Sequence, residues 1–144
     1  MSAKPIPDGF TAVTPYLLVP DVDAQVAFME KALGAILHYK MPMPDGKSGH
    51  AEMSIGGAIL MMGRAMEQYP AMPCMLYIYV SDVDAAHARA VAAGGKASQP
   101  VTDMFYGDRV GNIIDPHGNH WCLATHQHDY TPEQIAENMT KMKR

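Results

Sequence analysis

Apolar and polar residues alternate along several short segments of this chain, and two of these segments run into the same motif. Ala12 to Val19 and Met75 to Val80 are rich in the β-branched and aromatic side chains that are typical of strands. The motif Val19-Pro20-Asp21-Val22-Asp23-Ala24 ends the first segment and returns as Val80-Ser81-Asp82-Val83-Asp84-Ala85 at the end of the second. The copies lie 61 residues apart, which predicts two repeats of one supersecondary unit.

A helix follows each copy of the motif. After the first copy, apolar side chains recur at the spacing of one helix face, at Val22, Val26, Met29 and Leu33. Asp21 is placed to cap the start of this helix, and Gly34 ends it. The second helix is expected from Asp82 to Ala93, closed by Gly94-Gly95.

Three further strands complete each unit. The first unit continues with Ala35 to Met43 and a hairpin, His50 to Ile55 and Ala58 to Arg64, that turns at Gly56-Gly57. The second continues with Lys96 to Val101 and a hairpin spanning Arg109 to His126. The pattern predicts one α+β domain over residues 1–144, with two tandem βαβββ units whose curved sheets form half-barrels. Unit one is expected at about 12–64, the linker at 65–73, unit two at about 74–126 and a short C-terminal helix at about 131–143.

Composition narrows the classes of function. A formal net charge of −4 with only 11 Lys and Arg argues against a nucleic-acid or anionic-membrane surface. We expect no signal peptide, because the first residues lead into proline and glycine rather than an apolar stretch. Two separated cysteines, Cys74 and Cys122, favour a reducing cytoplasm over a disulfide framework.

The last hairpin carries a motif that resembles a known superfamily. Asp115-Pro116-His117-Gly118-Asn119, on two βαβββ units, is similar to the vicinal oxygen chelate superfamily, which includes glyoxalase I, extradiol dioxygenases and bleomycin-resistance proteins. Further motifs resemble its PhnB-like branch: Thr14-Pro15-Tyr16-Leu17, His50-Ala51-Glu52, Ile55-Gly56-Gly57, Asp103 to Arg109, and Ala124-Thr125-His126. The resemblance implies the fold and a small-molecule site, and leaves the reaction open.

The resemblance also implies where a metal would bind. Superfamily ligands, typically His, Gln or Glu, lie on the first and last strand of each unit, which here correspond to Thr14, Met61, Met75 and Cys122. These side chains do not suit Mg²⁺, Mn²⁺ or Ni²⁺, which favour oxygen or imidazole donors. We therefore expect no metal at the usual site, and no other cofactor is predicted. A displaced divalent-metal site remains an alternative.

Strand pairing predicts which side chains line the cavity of each half-barrel in place of metal ligands. If the first hairpin turns at Gly56-Gly57, Glu52 lies opposite Met61 and His50 opposite Gly63, so that these side chains share a face. Applied to the second hairpin, the same reasoning places Ile113 opposite Cys122 and Asp115 opposite His120, with His126 on the face of Cys122. Trp121 then points to the helix side, as a core residue.

His50 and Glu52 admit three interpretations. They are candidates for a general acid–base pair, since a partly buried carboxylate beside an imidazole suits that chemistry. They can also form a structural hydrogen-bonded pair, or contribute to the displaced metal site. The remaining candidates for ligand binding are Tyr16, Met61, Met75, Tyr77, His120, Cys122 and His126.

Methionine and tyrosine side chains on the cavity face favour a flat or aromatic small molecule. A half-barrel needs a second sheet to close its cavity, so we expect a homodimer with two equivalent cavities. The expected partners of the protein are therefore a small organic ligand and a second copy of the chain, and not nucleic acid or a membrane. The sequence favours a small-molecule-binding protein without the usual metal. The alternative is a glyoxalase- or lyase-like enzyme that uses His50 and Glu52.

Overall fold

Each half of the chain folds into a four-stranded sheet with one helix packed on it in a computed structural model, which describes residues 2–142. The elements of the first half are β1 (Tyr16–Val19), α1 (Val22–Leu33), β2 (Ile36–Pro42), β3 (Ser48–Ile55) and β4 (Ala58–Arg64). Those of the second half are β5 (Met75–Tyr79), α2 (Val83–Ala92), β6 (Lys96–Asp103), β7 (Asp108–Ile114) and β8 (His120–His126). A third helix, α3 (Pro132–Met142), ends the described chain.

The two sheets have the same topology. The strand orders are β1-β4-β3-β2 and β5-β8-β7-β6, with the first strand of each unit parallel to its last and the other pairs antiparallel. The expected α+β fold of two βαβββ units is confirmed, as is the short C-terminal helix. β1 is shorter than predicted, because the chain becomes extended and paired only from Tyr16 rather than from Ala12.

The repeated Asp motif starts both helices. The Asp21 carboxylate accepts a hydrogen bond from the Ala24 backbone N–H at 3.0 Å, and Asp82 accepts the equivalent bond from Ala85 at 3.1 Å. Each carboxylate thereby satisfies a donor that has no partner within the helix. At the other end of α1, Gly34 adopts the left-handed conformation (φ 66°) that ends the helix.

The helices cover one face of each sheet. Leu17, Met29, Met62 and Trp121 are fully buried in the core between sheets and helices, as the alternation along their elements requires. Arg89 of α2 donates from Nε to the Lys31 carbonyl at the end of α1, at 2.8 Å, and so joins the two helices. The other face of each sheet, which we call its open face, has no helix packed over it among the described residues.

A buried carboxylate joins the two units. Asp115 accepts hydrogen bonds from Gln25 Nε2 of α1 (2.9 Å), from Trp121 Nε1 (2.9 Å) and from the backbone N–H groups of His117 and Asn119 (2.9 Å each). Gln25 is fully buried and its Oε1 accepts from His117 Nδ1 at 2.7 Å. The motif in the last hairpin therefore docks the second unit on the first helix.

The same carboxylate sets the register of the last hairpin, where the sequence prediction is wrong. Asn112 pairs with Cys122, and Ile114 pairs with His120, one residue away from the expected partners Ile113 and Asp115. The Asp115 backbone N–H bonds the Asn119 carbonyl, which leaves a three-residue turn instead of four. Ile113 and Asp115 therefore point into the core, because one residue of slip exchanges the faces of a strand.

None of the helices among residues 2–142 is long and apolar enough to cross a bilayer. Cys74 and Cys122 are both free thiols.

Candidate functional site

The open face of each sheet exposes large apolar and aromatic side chains at equivalent positions. Tyr16 lies beside Met61 on the first sheet, and Tyr77 lies beside Cys122 on the second. Tyr16 is 49% exposed and Tyr77 is 44% exposed, while Met75 is 64% exposed. Exposed apolar side chains that lie next to one another in this way are typical of surfaces that contact a ligand or another protein.

On the first open face, three polar side chains form a chain of hydrogen bonds. His50 Nε2 lies 3.0 Å from Glu52 Oε2, and His50 Nδ1 lies 3.3 Å from the Tyr16 hydroxyl. The first hairpin has the predicted register, with Glu52 opposite Met61 and His50 opposite Gly63. Its two-residue turn fixes that register, because Gly56 and Gly57 both adopt positive φ (54° and 86°).

A cavity of about 320 Å³ opens beside these groups. Tyr16, Leu18, Gly63 and Arg64 line it together with Met66 and Tyr69 from the segment after β4. Arg64 at its rim is held by Asp45, whose carboxylate lies 2.8 Å from the guanidinium. The cavity is large enough for an aromatic ring and is mostly apolar.

On the second open face, a buried carboxylate is the centre of the polar network. Asp108 accepts hydrogen bonds from the hydroxyls of Tyr77 (2.6 Å) and Tyr79 (3.0 Å) and from His126 Nδ1 (2.7 Å). The Tyr106 hydroxyl lies 3.2 Å from that of Tyr77. These bonds hold the rings of Tyr77 and Tyr79 in an edge-to-face arrangement, with centroids 5.4 Å apart.

This hydrogen-bond network shifts the pKa values of the groups that form it. Burial raises the pKa of Asp108, but the donors Tyr77, His126 and Tyr79 outweigh it, and the pKa of this carboxyl lies below its usual value. Burial first, and the bond to Asp108 second, raises the pKa of Tyr77 far above its usual range. The pKa of His126 is raised by the same carboxylate and by Asp129, whose Oδ1 lies 2.7 Å from Nε2.

The other predicted site residues divide between the two open faces. Met61 joins Tyr16, His50 and Glu52 on the first sheet. Met75, Tyr77, His120, Cys122 and His126 share a face of the second sheet. Within one chain the two groups belong to separate sheets, each open on this side. Cys122 is only 5% exposed, because it packs with Val110 and Ala124 beneath Met104 and Tyr106, and burial raises the pKa of its thiol.

Asp108 and Asn112 are site residues that the sequence prediction missed. The correct register puts Asp108 opposite His126 and Asn112 opposite Cys122, so that both side chains share the open face. Asn112 takes the position that Glu52 holds in the first unit. Its Nδ2 donates to Gln99 Oε1 at 3.4 Å, and its buried Oδ1 has no hydrogen-bond partner among the described residues. The alternation of side chains along β7 could have identified both residues, but the register predicted for this hairpin was wrong by one residue.

Comparison with models of known protein families identifies the family of this chain. The family model of the Glyoxalase/Bleomycin resistance protein/Dioxygenase superfamily matches residues 10–123. The chain belongs to this superfamily.

Several known proteins are similar to this chain over most of its length. An uncharacterized protein of Mycobacterium bovis, Mb0911c, is 31% identical over 140 residues, which cover 90% of this chain and 92% of that protein. The crystal structure of TioX from Micromonospora sp. ML1 has a TM-score of 0.72 and 29% identity, over 81% of this chain and 98% of TioX. A PhnB protein from Bacillus cereus shares the fold, with a TM-score of 0.63 and 16% identity over 80% of this chain and 99% of that protein.

The superfamily's usual metal does not fit the side chains at the corresponding positions. Met61 and Cys122 lie on the last strands, and their first-strand neighbours are Tyr16 and Tyr77 rather than Thr14 and Met75. Thr14 precedes β1 and its hydroxyl donates to the Thr11 carbonyl. Thioether, thiol and phenol groups are poor ligands for Mg²⁺, Mn²⁺ or Ni²⁺. Within residues 2–142, no three His, Cys, Asp or Glu side chains are grouped so that they could hold a metal ion.

Proposed function

We propose that this protein is a PhnB-like member of the superfamily that binds a small, flat organic molecule against its open sheet faces, without the superfamily's usual metal. The observation that carries the proposal is the set of exposed aromatic and thioether side chains on those faces, which a single chain leaves uncovered. Such a surface favours an apolar, adaptable contact with a planar ligand.

A homodimer is part of the proposal. The open face of the first sheet in one copy would meet the open face of the second sheet in the other, and twofold symmetry would then create two equivalent cavities. Enclosing Tyr16, Met75 and Tyr77 as walls of these cavities removes part of their apolar surface from water, which is favourable at about 25 cal/mol per Å², and leaves their inner surfaces accessible to a ligand.

Polar groups would orient the ligand within this cavity. The hydroxyls of Tyr77 and Tyr79 are fixed by Asp108, so they present rings of defined orientation and lose little conformational freedom when a ligand binds. His120 and His126 lie towards the ends of β8 and would border the site. The Glu52 carboxylate, on the first sheet of the other copy, would face the same cavity.

The alternative function is a glyoxalase- or lyase-like enzyme. The contact of 3.0 Å between His50 Nε2 and Glu52 Oε2 favours it, since this geometry suits a general acid–base pair. A metal bound atypically by His50 and Glu52 is a further form of this alternative, and addition of metal, described below, tests it.

Binding of the fluorescent bicyclic probe 1-anilinonaphthalene-8-sulfonate tests the binding function. We expect saturable binding by the wild type, and a loss of at least about tenfold in affinity in Met75→Glu, because the new charge must be desolvated at an apolar contact. Met142→Glu is the matched control, since Met142 is 53% exposed but lies on α3. Equal affinity in both variants would contradict the proposal.

A further inference from the structure

We propose that Tyr16, His50 and Glu52 form a proton relay in which the Tyr16 hydroxyl, rather than His50, exchanges a proton with the bound molecule. The inference rests on the proposed function only in placing a ligand on the first open face. It assigns a catalytic role to Tyr16, and the type of ligand it implies is a flat organic molecule with a weakly acidic C–H or O–H group.

The two nitrogens of His50 are both engaged. Glu52 is a carboxylate and only accepts hydrogen bonds, so Nε2 carries the ring proton in the neutral imidazole. Nδ1 is then a lone pair, and the Tyr16 hydroxyl at 3.3 Å donates to it. A carboxylate that orients an imidazole, which in turn accepts a hydroxyl proton, is the arrangement that activates a nucleophile or base.

Exposure also makes Tyr16 the outermost member of the relay. The His50 side chain is 19% exposed and that of Glu52 is 25% exposed, whereas Tyr16 is 49% exposed and lines the cavity of about 320 Å³. His50 is not among the residues that line this cavity. A molecule seated there would meet the phenol before the imidazole.

Gly63 positions the phenol. It lies between Leu18 and His50 across the sheet, and the Tyr16 ring fills the space above it. A Cβ at this position would press against the Tyr16 hydroxyl and lie 3.0 Å from Cε1 and 3.1 Å from Cζ. The absence of a side chain therefore lets the Tyr16 hydroxyl reach His50.

The internal repeat supplies a natural contrast. Tyr77 occupies the position of Tyr16 in the second unit and is nearly as exposed, but its hydroxyl donates to the Asp108 carboxylate at 2.6 Å. Burial first, and this hydrogen bond to a carboxylate second, raise the pKa of Tyr77. The Tyr77 hydroxyl is therefore bound to a carboxylate, whereas the Tyr16 hydroxyl is bound to an imidazole nitrogen that can accept its proton.

The proton balance of the relay is simple. Tyr16 transfers its hydroxyl proton to His50 Nδ1 and takes a proton from the ligand, so that the ligand becomes an anion and the phenol is restored. His50 becomes an imidazolium, and the Glu52 carboxylate stabilises its charge. The reverse sequence returns the proton to the ligand at the same or at another atom.

Labelling with benzenesulfonyl fluoride tests the relay without knowledge of the natural ligand. The Tyr16 oxygen attacks sulfur, an O–S bond forms as the S–F bond breaks, fluoride leaves, and the phenol proton passes to His50. Peptide mass spectrometry measures the rate at each tyrosine. We expect Tyr16 to react at least about tenfold faster than Tyr77, a modest part of the hundredfold or more that a positioned base supplies.

Three variants separate the relay from mere exposure. His50→Phe keeps an aromatic ring but removes the base, and should slow labelling of Tyr16 at least about tenfold. Gly63→Ala displaces the phenol and should slow it similarly in a protein that retains His50. Glu52→Gln keeps the shape but removes the charge, and should slow it by a factor of about two to ten. Labelling of Tyr130, which stacks on His128 beyond β8 and lies outside this cavity, should stay unchanged in all three.

The outcomes are decisive and independent of the binding proposal. Slower labelling of Tyr16 in both His50→Phe and Gly63→Ala, with wild-type melting temperature in at least one of them, supports the relay. Equal rates for Tyr16 and Tyr77 in the wild type, or a Tyr16 rate that does not respond to His50→Phe, overturns it. Loss of probe binding in Met75→Glu concerns the cavity alone, so failure of the relay leaves the proposed binding function intact.

Discussion

Replacement of Gln25 by leucine should destabilise the protein more than any exposed change on the same helix. Gln25 is fully buried and makes two hydrogen bonds to the second unit, one to the Asp115 carboxylate and one from His117. Leucine has a similar volume and fills the site, so the variant removes the bonds without leaving a large cavity. The buried carboxylate and the imidazole then each lose a partner.

The magnitude follows from these two bonds. A hydrogen bond to a charged group contributes about 1.5–3 kcal/mol and a neutral one about 0.5–1.5 kcal/mol. Asp115 keeps its other donors, Trp121, His117 and Asn119, and the leucine side chain gains some apolar burial. We therefore expect a loss of about 2–3 kcal/mol in the free energy of unfolding. In a chain of this length that lowers the melting temperature by about 5–12 °C.

Urea and thermal unfolding of Gln25→Leu and of the control Glu30→Leu measure this difference. Glu30 lies on the exposed side of α1, and its replacement should change stability by less than about 0.5 kcal/mol. If Gln25→Leu were as stable as the wild type, the Asp115 network would not be what joins the two units, and the account of the last hairpin would be wrong.

Three further predictions concern the two open faces. Addition of Ni²⁺, Mn²⁺ or Zn²⁺ should hardly change the melting temperature, whereas a metal bound by the native state at 100 times its dissociation constant would add about 2.7 kcal/mol; a rise of several degrees would point to an atypical site. Glu52→Gln should change stability by less than about 1 kcal/mol while altering probe binding, and unfolding without an effect on binding would assign Glu52 a structural role. The pKa of His126 is raised from its usual 6.5, by Asp108 first and Asp129 second. The contribution of this residue to the stability of the fold is therefore fully present below about pH 6.5, and it is lost as the pH rises through the folded-state pKa. His126→Gln should therefore lower the melting temperature at about pH 5.5 and have a much smaller effect at about pH 9, and an equal effect at both would count against the ion pair.

The first hairpin was predictable in full because its register depends on local chemistry. Two adjacent glycines allow the positive φ values of a two-residue turn, and this turn alone places Glu52 opposite Met61. The helix starts at Asp21 and Asp82 were predictable for the same reason, since a capping carboxylate acts within three residues.

The second hairpin was not predictable from its own residues. Asp115 to Asn119 can form a turn in more than one register, and in the observed one the partners of Asp115 include Gln25, which lies 90 positions earlier in the chain. This register directs the Asp115 side chain into the core and brings Asp108 and Asn112 to the open face. The direction of Tyr16 over Gly63 is equally a property of the assembled sheet, because the two residues meet only when β1 pairs with β4.

The central proposal is a cavity built from the first sheet of one copy and the second sheet of another. A mixed dimer tests this proposal most directly. Met41 lies opposite His50 on the first sheet, so Met41→Glu should disable one half of the cavity and Met75→Glu the other. Neither homodimer should bind 1-anilinonaphthalene-8-sulfonate well. A heterodimer purified with two different affinity tags combines the wild-type first sheet of one copy with the wild-type second sheet of the other in one cavity. Isothermal titration should therefore give about one bound probe per heterodimer, half the wild-type stoichiometry. A heterodimer that binds no probe would contradict the shared cavity.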